Sequence, residues 1–255
     1  MIGGASRSGT TLVRVMVDSH PDIACGPESS LFRGVFHETI LHRQFDFARR
    51  DLRRLERQCA SFPEFVERVL GAYARRQGKA HFAEKTPANV RNIGWILDRF
   101  TNAHFVHTVR DGRAVVNSLR THPRYRFIDG KPVPTGIVRD IDDCITEWLD
   151  MVRPGLEYTG HPRVAELRYE DLVERPEEVL TPILARAGWA WADEMARHTE
   201  AQSESRSAAR LGQSQEAAAP ITKEAVDRWR EELSADAVAR VEDRGGDVLV
   251  RLGYK

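Results

Sequence analysis

The segment Gly4-Ala5-Ser6-Arg7-Ser8-Gly9-Thr10-Thr11 constrains this chain more than any other. Its spacing is that of a Walker A phosphate loop: glycine, four residues, glycine, two more. It lies between a short apolar run, Met1–Ala5, and a buried-helix pattern carried by Leu12, Val13, Val15, Met16 and Val17. Glycine permits the tight turn, successive N–H groups converge on an anion, and the helix N-terminus adds partial positive charge. Where a nucleotide hydrolase carries lysine for the β- and γ-phosphates, this chain has Thr10, and its positive charge sits inside the loop at Arg7. Such a loop is poorly equipped for ATP with Mg2+. It can still hold one 5′-phosphate through the backbone and hydroxyls of Ser8, Gly9, Thr10 and Thr11. A glycine–serine turn without a ligand is the alternative.

The rest of the chain alternates strands and helices. Strand patterns fall at 81–84, 103–109 and 163–167, and helical ones at 31–79, 86–97, 137–153, 176–200 and 224–233. The order predicts an α/β fold, a three-layer sandwich with a central parallel sheet and helices on both faces. Ser61-Phe62-Pro63-Glu64 reads as a capping box, and Arg49–Arg57 as a solvated helix face. The stretch 202–222 is too long for an ordinary connection and is expected to be functional or disordered.

Over 255 residues, 38 Lys and Arg balance 38 Asp and Glu, which argues against a nucleic-acid partner. No run reaches the ~18 apolar residues of a membrane span, and the N-terminal residues carry no signal-peptide pattern. The three cysteines, Cys25, Cys59 and Cys144, are far apart and fit neither a disulfide framework nor a zinc site. The nine histidines show no ligand-like spacing, so no metal is assigned. The expectation is one domain over 1–255, cytoplasmic, with no membrane partner.

The run Ser6-Arg7-Ser8-Gly9-Thr10-Thr11-Leu12 resembles the 5′-phosphosulfate loop of sulfotransferases that use 3′-phosphoadenosine 5′-phosphosulfate (PAPS). Residues 105–118, FVHTVRDGRAVVNS, are similar to that family's strand–turn–helix for the donor's 3′-phosphate, and Arg168-Tyr169-Glu170-Asp171-Leu172 to its next block. The resemblance implies that Arg110 and Ser118 contact the 3′-phosphate and that Tyr169 lies by the nucleotide. An arginine leaving a strand and a hydroxyl two helical turns later can converge on one anion. Within the family the chain is most similar to the tyrosylprotein branch and its bacterial relatives, on Arg14, 18–22, Cys25-Gly26-Pro27-Glu28, Glu84-Lys85-Thr86-Pro87, Ser214-Gln215 and Arg228-Trp229.

That resemblance implies sulfuryl transfer from PAPS, leaving 3′,5′-adenosine bisphosphate (PAP), to a hydroxyl acceptor. Glu28 takes the position of the general base, and partial burial beside Pro27 is expected to suit it to that task. A helix cap at Ser29 is its alternative role. Lys85 matches the lysine that neutralises the departing phosphate oxygen, Arg7 shares that work, and Ser214 falls where a serine approaches the donor's phosphates, with Ser207 and Ser205 of the same loop as alternatives. Segment 31–79 is expected on the acceptor side. The tyrosylprotein enzymes carry an arginine three residues past the base; here that position is Leu31. The acceptor is therefore left open among phenol, alcohol, glycan and peptide tyrosine, and the oligomeric state between monomer and homodimer. The competing readings are a P-loop kinase, for which only Asp111 is loosely placed to hold Mg2+, and a nucleotide-binding module without catalysis.

Overall fold

Five short strands line up in parallel. β1 (Ile2–Gly4) pairs with β4 (Phe105–Val109), and β4 with β7 (Val164–Arg168). β2 (Ile23–Cys25) pairs with β3 (His81–Ala83). A bridge between Ile2 and Lys85 joins the two sets, so the spatial order is β2-β3-β1-β4-β7. The computed structural model describes residues 1–33, 38–122, 125–128, 131–197 and 224–254. Within these, β5 (Tyr125–Ile128) and β6 (Lys131–Pro134) form a separate antiparallel hairpin.

Alternation along the strands covers both faces. Ile2, Ile23, Cys25 and Val106 belong to one apolar cluster, with α1 (Thr10–Asp18), α8 (Tyr169–Glu174) and α9 (Pro176–Arg186). Ala24, Phe105 and Val109 point the other way, into a larger cluster. That cluster takes in α4 (Phe62–Arg76), α5 (Ile93–Arg99), α6 (Gly112–Thr121), α7 (Ile141–Leu156) and the C-terminal helix Ala235–Arg251. A parallel sheet needs this double cover, and the expected three-layer α/β architecture is the one observed.

Several elements differ from expectation. Segment 31–79 is not one helical run. It has a 3-10 turn at Leu31–Arg33, then α2 (Glu38–Phe45), α3 (Arg49–Gln58) and α4. Asp46, with φ 57°, breaks the chain between α2 and α3. At α4, Ser61 Oγ accepts from Glu64 N, while the Glu64 carboxylate reaches back to Ala60 N. On α3 only Leu52 is buried, as a solvated face requires. The helix expected over 176–200 stops at Arg186, and Gly188 (φ 82°) turns the chain away. The one expected over 224–233 is two short helices, Glu224–Asp227 and Trp229–Glu232. Ser214 and the stretch 202–222 lie outside the described residues.

Candidate active site

The glycine-rich turn between β1 and α1 has the conformation its sequence demands. Gly9 has φ 91°, and a Cβ there would come within 2.3 Å of the Tyr169 ring. Arg7 has φ 70°, the left-handed region that side chains avoid. It is held there from two sides: Arg110 Nη1 donates to its carbonyl at 3.0 Å, and its own Nε donates to Ser118 Oγ at 2.9 Å. Ser8 is turned inward. Its hydroxyl bonds to Ala5 O and Thr108 O, and its N–H goes to Ala5 O, so it fastens the loop to β4. No side chain caps the N-terminus of α1 at Gly9. The first-turn amides around Thr10 and Thr11 thus retain the anion-binding character of a helix start.

Arg110 leaves the end of β4 and is buried. Its guanidinium stacks on the Tyr169 ring at 4.4 Å, and Nη2 donates to Ala225 O at 2.5 Å. Burial pushes the guanidinium below its ordinary value, with Tyr169 and Glu170 opposing that effect. The expected trio of Arg110, Ser118 and Tyr169 is therefore gathered beside the loop, with Arg7 linking Arg110 to Ser118. Asp111, the carboxylate loosely placed for Mg2+, is engaged elsewhere. It caps α6 by accepting from Arg113 N and pairs with the Arg113 guanidinium at 2.8 Å.

On the other side of β1, the bridge to Ile2 brings Lys85 to the loop. Lys85 is buried, and its ammonium donates to Glu28 Oε1 at 2.5 Å and to Thr11 Oγ1 at 3.4 Å. Glu28 is partly buried, as expected, with its side chain 44% exposed. It does not cap a helix at Ser29. The 3-10 turn that follows is fastened by Ser29 Oγ, which accepts from Leu31 N. The strand leading to Glu28 is clamped by residues that the resemblance had picked out. Arg14 donates to Cys25 O, and Asp18 accepts from Cys25 N. Gly26 lets Phe45 and Tyr73 press against the same turn, within 3 Å of where a Cβ would stand.

Sequence reading passed over the role of Glu84. Its carboxylate is 1% exposed and accepts four hydrogen bonds. Ser29 N (3.0 Å), Ser29 Oγ (2.7 Å) and Thr86 Oγ1 (2.6 Å) donate to Oε1, and Asn89 Nδ2 (2.6 Å) donates to Oε2. The signal available was an acidic residue closing the strand pattern at 81–84, directly before the lysine.

Together these groups offer an anion cradle at the start of α1, cations at Arg7, Arg110 and Lys85, and a partly exposed carboxylate against the Lys85 ammonium. Such a site can hold a phosphate-bearing donor, neutralise charge on a departing oxygen and accept a proton.

The model of the sulfotransferase family matches residues 1–193. Protein-tyrosine sulfotransferase A of Caenorhabditis elegans is 27% identical over 264 residues, covering 99% of this chain and 66% of the relative. This chain thus spans about two thirds of that relative's length. The sulfotransferase domain of the Synechococcus PCC 7002 olefin synthase superposes with a TM-score of 0.64 at 21% identity, covering 95% of this chain and 92% of that one. A mouse sulfotransferase complexed with PAP gives a TM-score of 0.55 at 14% identity, covering 98% and 83%. The two superpositions agree on the fold, and the family match takes in β1 through α9 with every described site residue, so the chain belongs to the sulfotransferase family.

Proposed function

We propose that this chain moves the sulfuryl group of PAPS to a hydroxyl acceptor by in-line transfer. The acceptor oxygen bonds to sulfur while the bridging sulfur–oxygen bond to the 5′-phosphate breaks. The bonding pair leaves on PAP, and the acceptor proton passes to Glu28. Lys85 and Arg7 stabilise charge on the bridging and sulfate oxygens, and the α1 N-terminus with Thr10 and Thr11 holds the 5′-phosphate. Arg110 and Ser118 hold the 3′-phosphate, with Tyr169 beneath the nucleotide.

The observation that carries this reading is the buried Lys85 ammonium, which touches both Thr11 at the phosphate loop and the Glu28 carboxylate. That is where a cation must stand to meet the leaving oxygen, with a base one contact away. The PAP bound to the mouse neighbour supports the donor. The kinase reading is disfavoured because the loop lacks its lysine and Asp111 is spent on Arg113. Leu31 is fully buried in the core, so a peptide-reading arginine has no counterpart at that position. We take a phenolic or alcoholic hydroxyl as the acceptor class.

Calorimetric titration with PAP, with 5′-AMP (both with EDTA) and with ATP plus Mg2+ tests the donor. PAP should bind tightest, through its 3′-phosphate, and Arg110→Ala should weaken it sharply. A preference for ATP with Mg2+ would overturn the reading. Label transfer from PAPS to a panel of phenols, alcohols and tyrosine peptides then tests catalysis. Glu28→Gln should lose transfer while keeping PAP affinity; unchanged transfer would remove Glu28 as the base.

A further inference from the structure

We propose that Glu84 is a positioning residue that sets the geometry between Glu28 and Lys85, an inference that rests on the transfer reading above. A carboxylate this deep in the interior is tolerated only with its hydrogen bonds satisfied. All four of its partners are donors, the pattern an acceptor-only group completes. Those partners belong to two particular places: the turn directly after Glu28 and the residues that follow Lys85.

Along the extended stretch 84–86, successive side chains point to opposite sides. Glu84 and Thr86 meet on Glu84 Oε1, while Lys85 projects away to Glu28 and Thr11. The first two grip the turn: Glu84 takes Ser29 N, and Thr86 Oγ1 takes Ser30 N at 3.3 Å. The ring is closed on the opposite side by the Glu28–Lys85 pair. Ser30 has φ 56°, a left-handed conformation that persists in a non-glycine residue only where neighbours over-determine it. Glu84 is the centre of those neighbours. Its other oxygen holds Asn89, and its own carbonyl accepts from Ile2 N at 2.9 Å, next to the phosphate loop. Three pieces thus meet at one residue: the strand that feeds the loop at its main-chain carbonyl, and the strand end that carries Lys85 and the turn that carries Glu28 at its carboxylate.

The decisive variant is Glu84→Gln, which keeps shape and one acceptor oxygen. Once the Asn89 amide flips from presenting Nδ2 to Glu84, the introduced amide can donate to Asn89 Oδ1, which is otherwise buried without a partner, so the fold has a way to accept it. Kinetics should show kcat per PAP-binding site lowered on the order of 10- to 100-fold, as expected for a misplaced reacting group. PAP affinity and donor KM should stay within about twofold, the split that marks an effect on the transition state. Independently of activity, NMR of 15N-lysine-labelled protein reads hydrogen exchange of the Lys85 ammonium, which burial and the Glu28 contact should slow in the wild type. Exchange should quicken in Glu84→Gln.

Unchanged kcat in the folded variant, or lowered kcat with Lys85 exchange unaltered, would overturn the proposal. If the wild-type chain transfers no sulfuryl group yet Lys85 exchange quickens in the variant, the transfer reading fails while the positioning by Glu84 stands. Ser29→Ala removes one of the four donors and provides the same measurements should Glu84→Gln not fold. Its effect should be in the same direction and smaller, and no effect on either readout would count against the proposal.

Discussion

His107 lies in the interior strand β4 with both ring nitrogens buried and without hydrogen-bond partners. Gly155 leaves the room the imidazole fills: a Cβ there would come within 2.4 Å of the ring. It is thus neither a surface residue nor a satisfied core one. Burial pushes the imidazole down from 6.5 to about 4. Between these values the unfolded chain binds a proton that the folded chain does not, so stability falls as pH drops through 6.5 and levels off below 4. The shift corresponds to on the order of 3 kcal/mol. Urea unfolding of the wild type and of His107→Leu at pH 7, 5.5 and 4.5 should show a shallower loss in the variant; equal slopes would remove His107 as a source of acid sensitivity. At Lys85 the expectation concerns rate. Lys85→Met should lower transfer roughly 100- to 1,000-fold, the scale for losing a charge-stabilising group. PAP should still bind through the loop and Arg110, as single-turnover and binding measurements would separate.

At the scale of elements, the start of α1 and the start of α6 do different work. Gly9 serves the ligand side: its φ of 91° and its contact with Tyr169 both exclude a side chain. Gly9→Ala should therefore weaken PAP binding at least tenfold while costing the fold about 1 kcal/mol or more; tight PAP binding by this variant would show that the loop is not shaped as described. Asp111 serves the fold. It caps α6 and holds Arg113, which also stacks on Trp229 at 4.4 Å and pairs with Glu242 at 2.9 Å. Asp111→Ala should cost about 1 kcal/mol for the cap alone and more for the buried arginine that loses this carboxylate. Asp111→Asn should recover the cap portion in the same denaturation assay.

Across the whole molecule, Trp148 joins the site's scaffold to the C-terminal helix. It is 1% exposed and packs against Gly112 at the start of α6 and Gly245 in helix Ala235–Arg251. Neither position admits a Cβ beside the indole. Trp148→Ala should destabilise by roughly 3–5 kcal/mol and loosen Arg113 and Trp229 along with the C-terminal helix. Hydrogen exchange in 235–251 should rise more than in α9, which belongs to the other apolar cluster; equal changes would contradict this coupling.

The amino-acid sequence by itself determined the phosphate loop, the strand–turn–helix at Arg110 and the α/β class. These rest on local rules: glycine at positive φ, an apolar strand before a turn, and alternating elements. It also singled out Lys85 and Glu28, through resemblance rather than through any local pattern. Other features escaped it for physical reasons. β2 is three residues long, too short to show a period. The seventeen-residue C-terminal helix is disguised by Gly245-Gly246, each glycine costing a helix about 1 kcal/mol relative to alanine; Gly245 is there for Trp148. Only the tertiary structure joined Lys85 to Glu28, turned Ser8 inward, left Glu28 half in solvent and buried Glu84 under four donors. Those outcomes depend on which strands lie beside β1: Ser8 turns toward β4 on one side, and on the other the bridge that brings in Lys85 and Glu84 connects Ile2 to a residue 83 positions away.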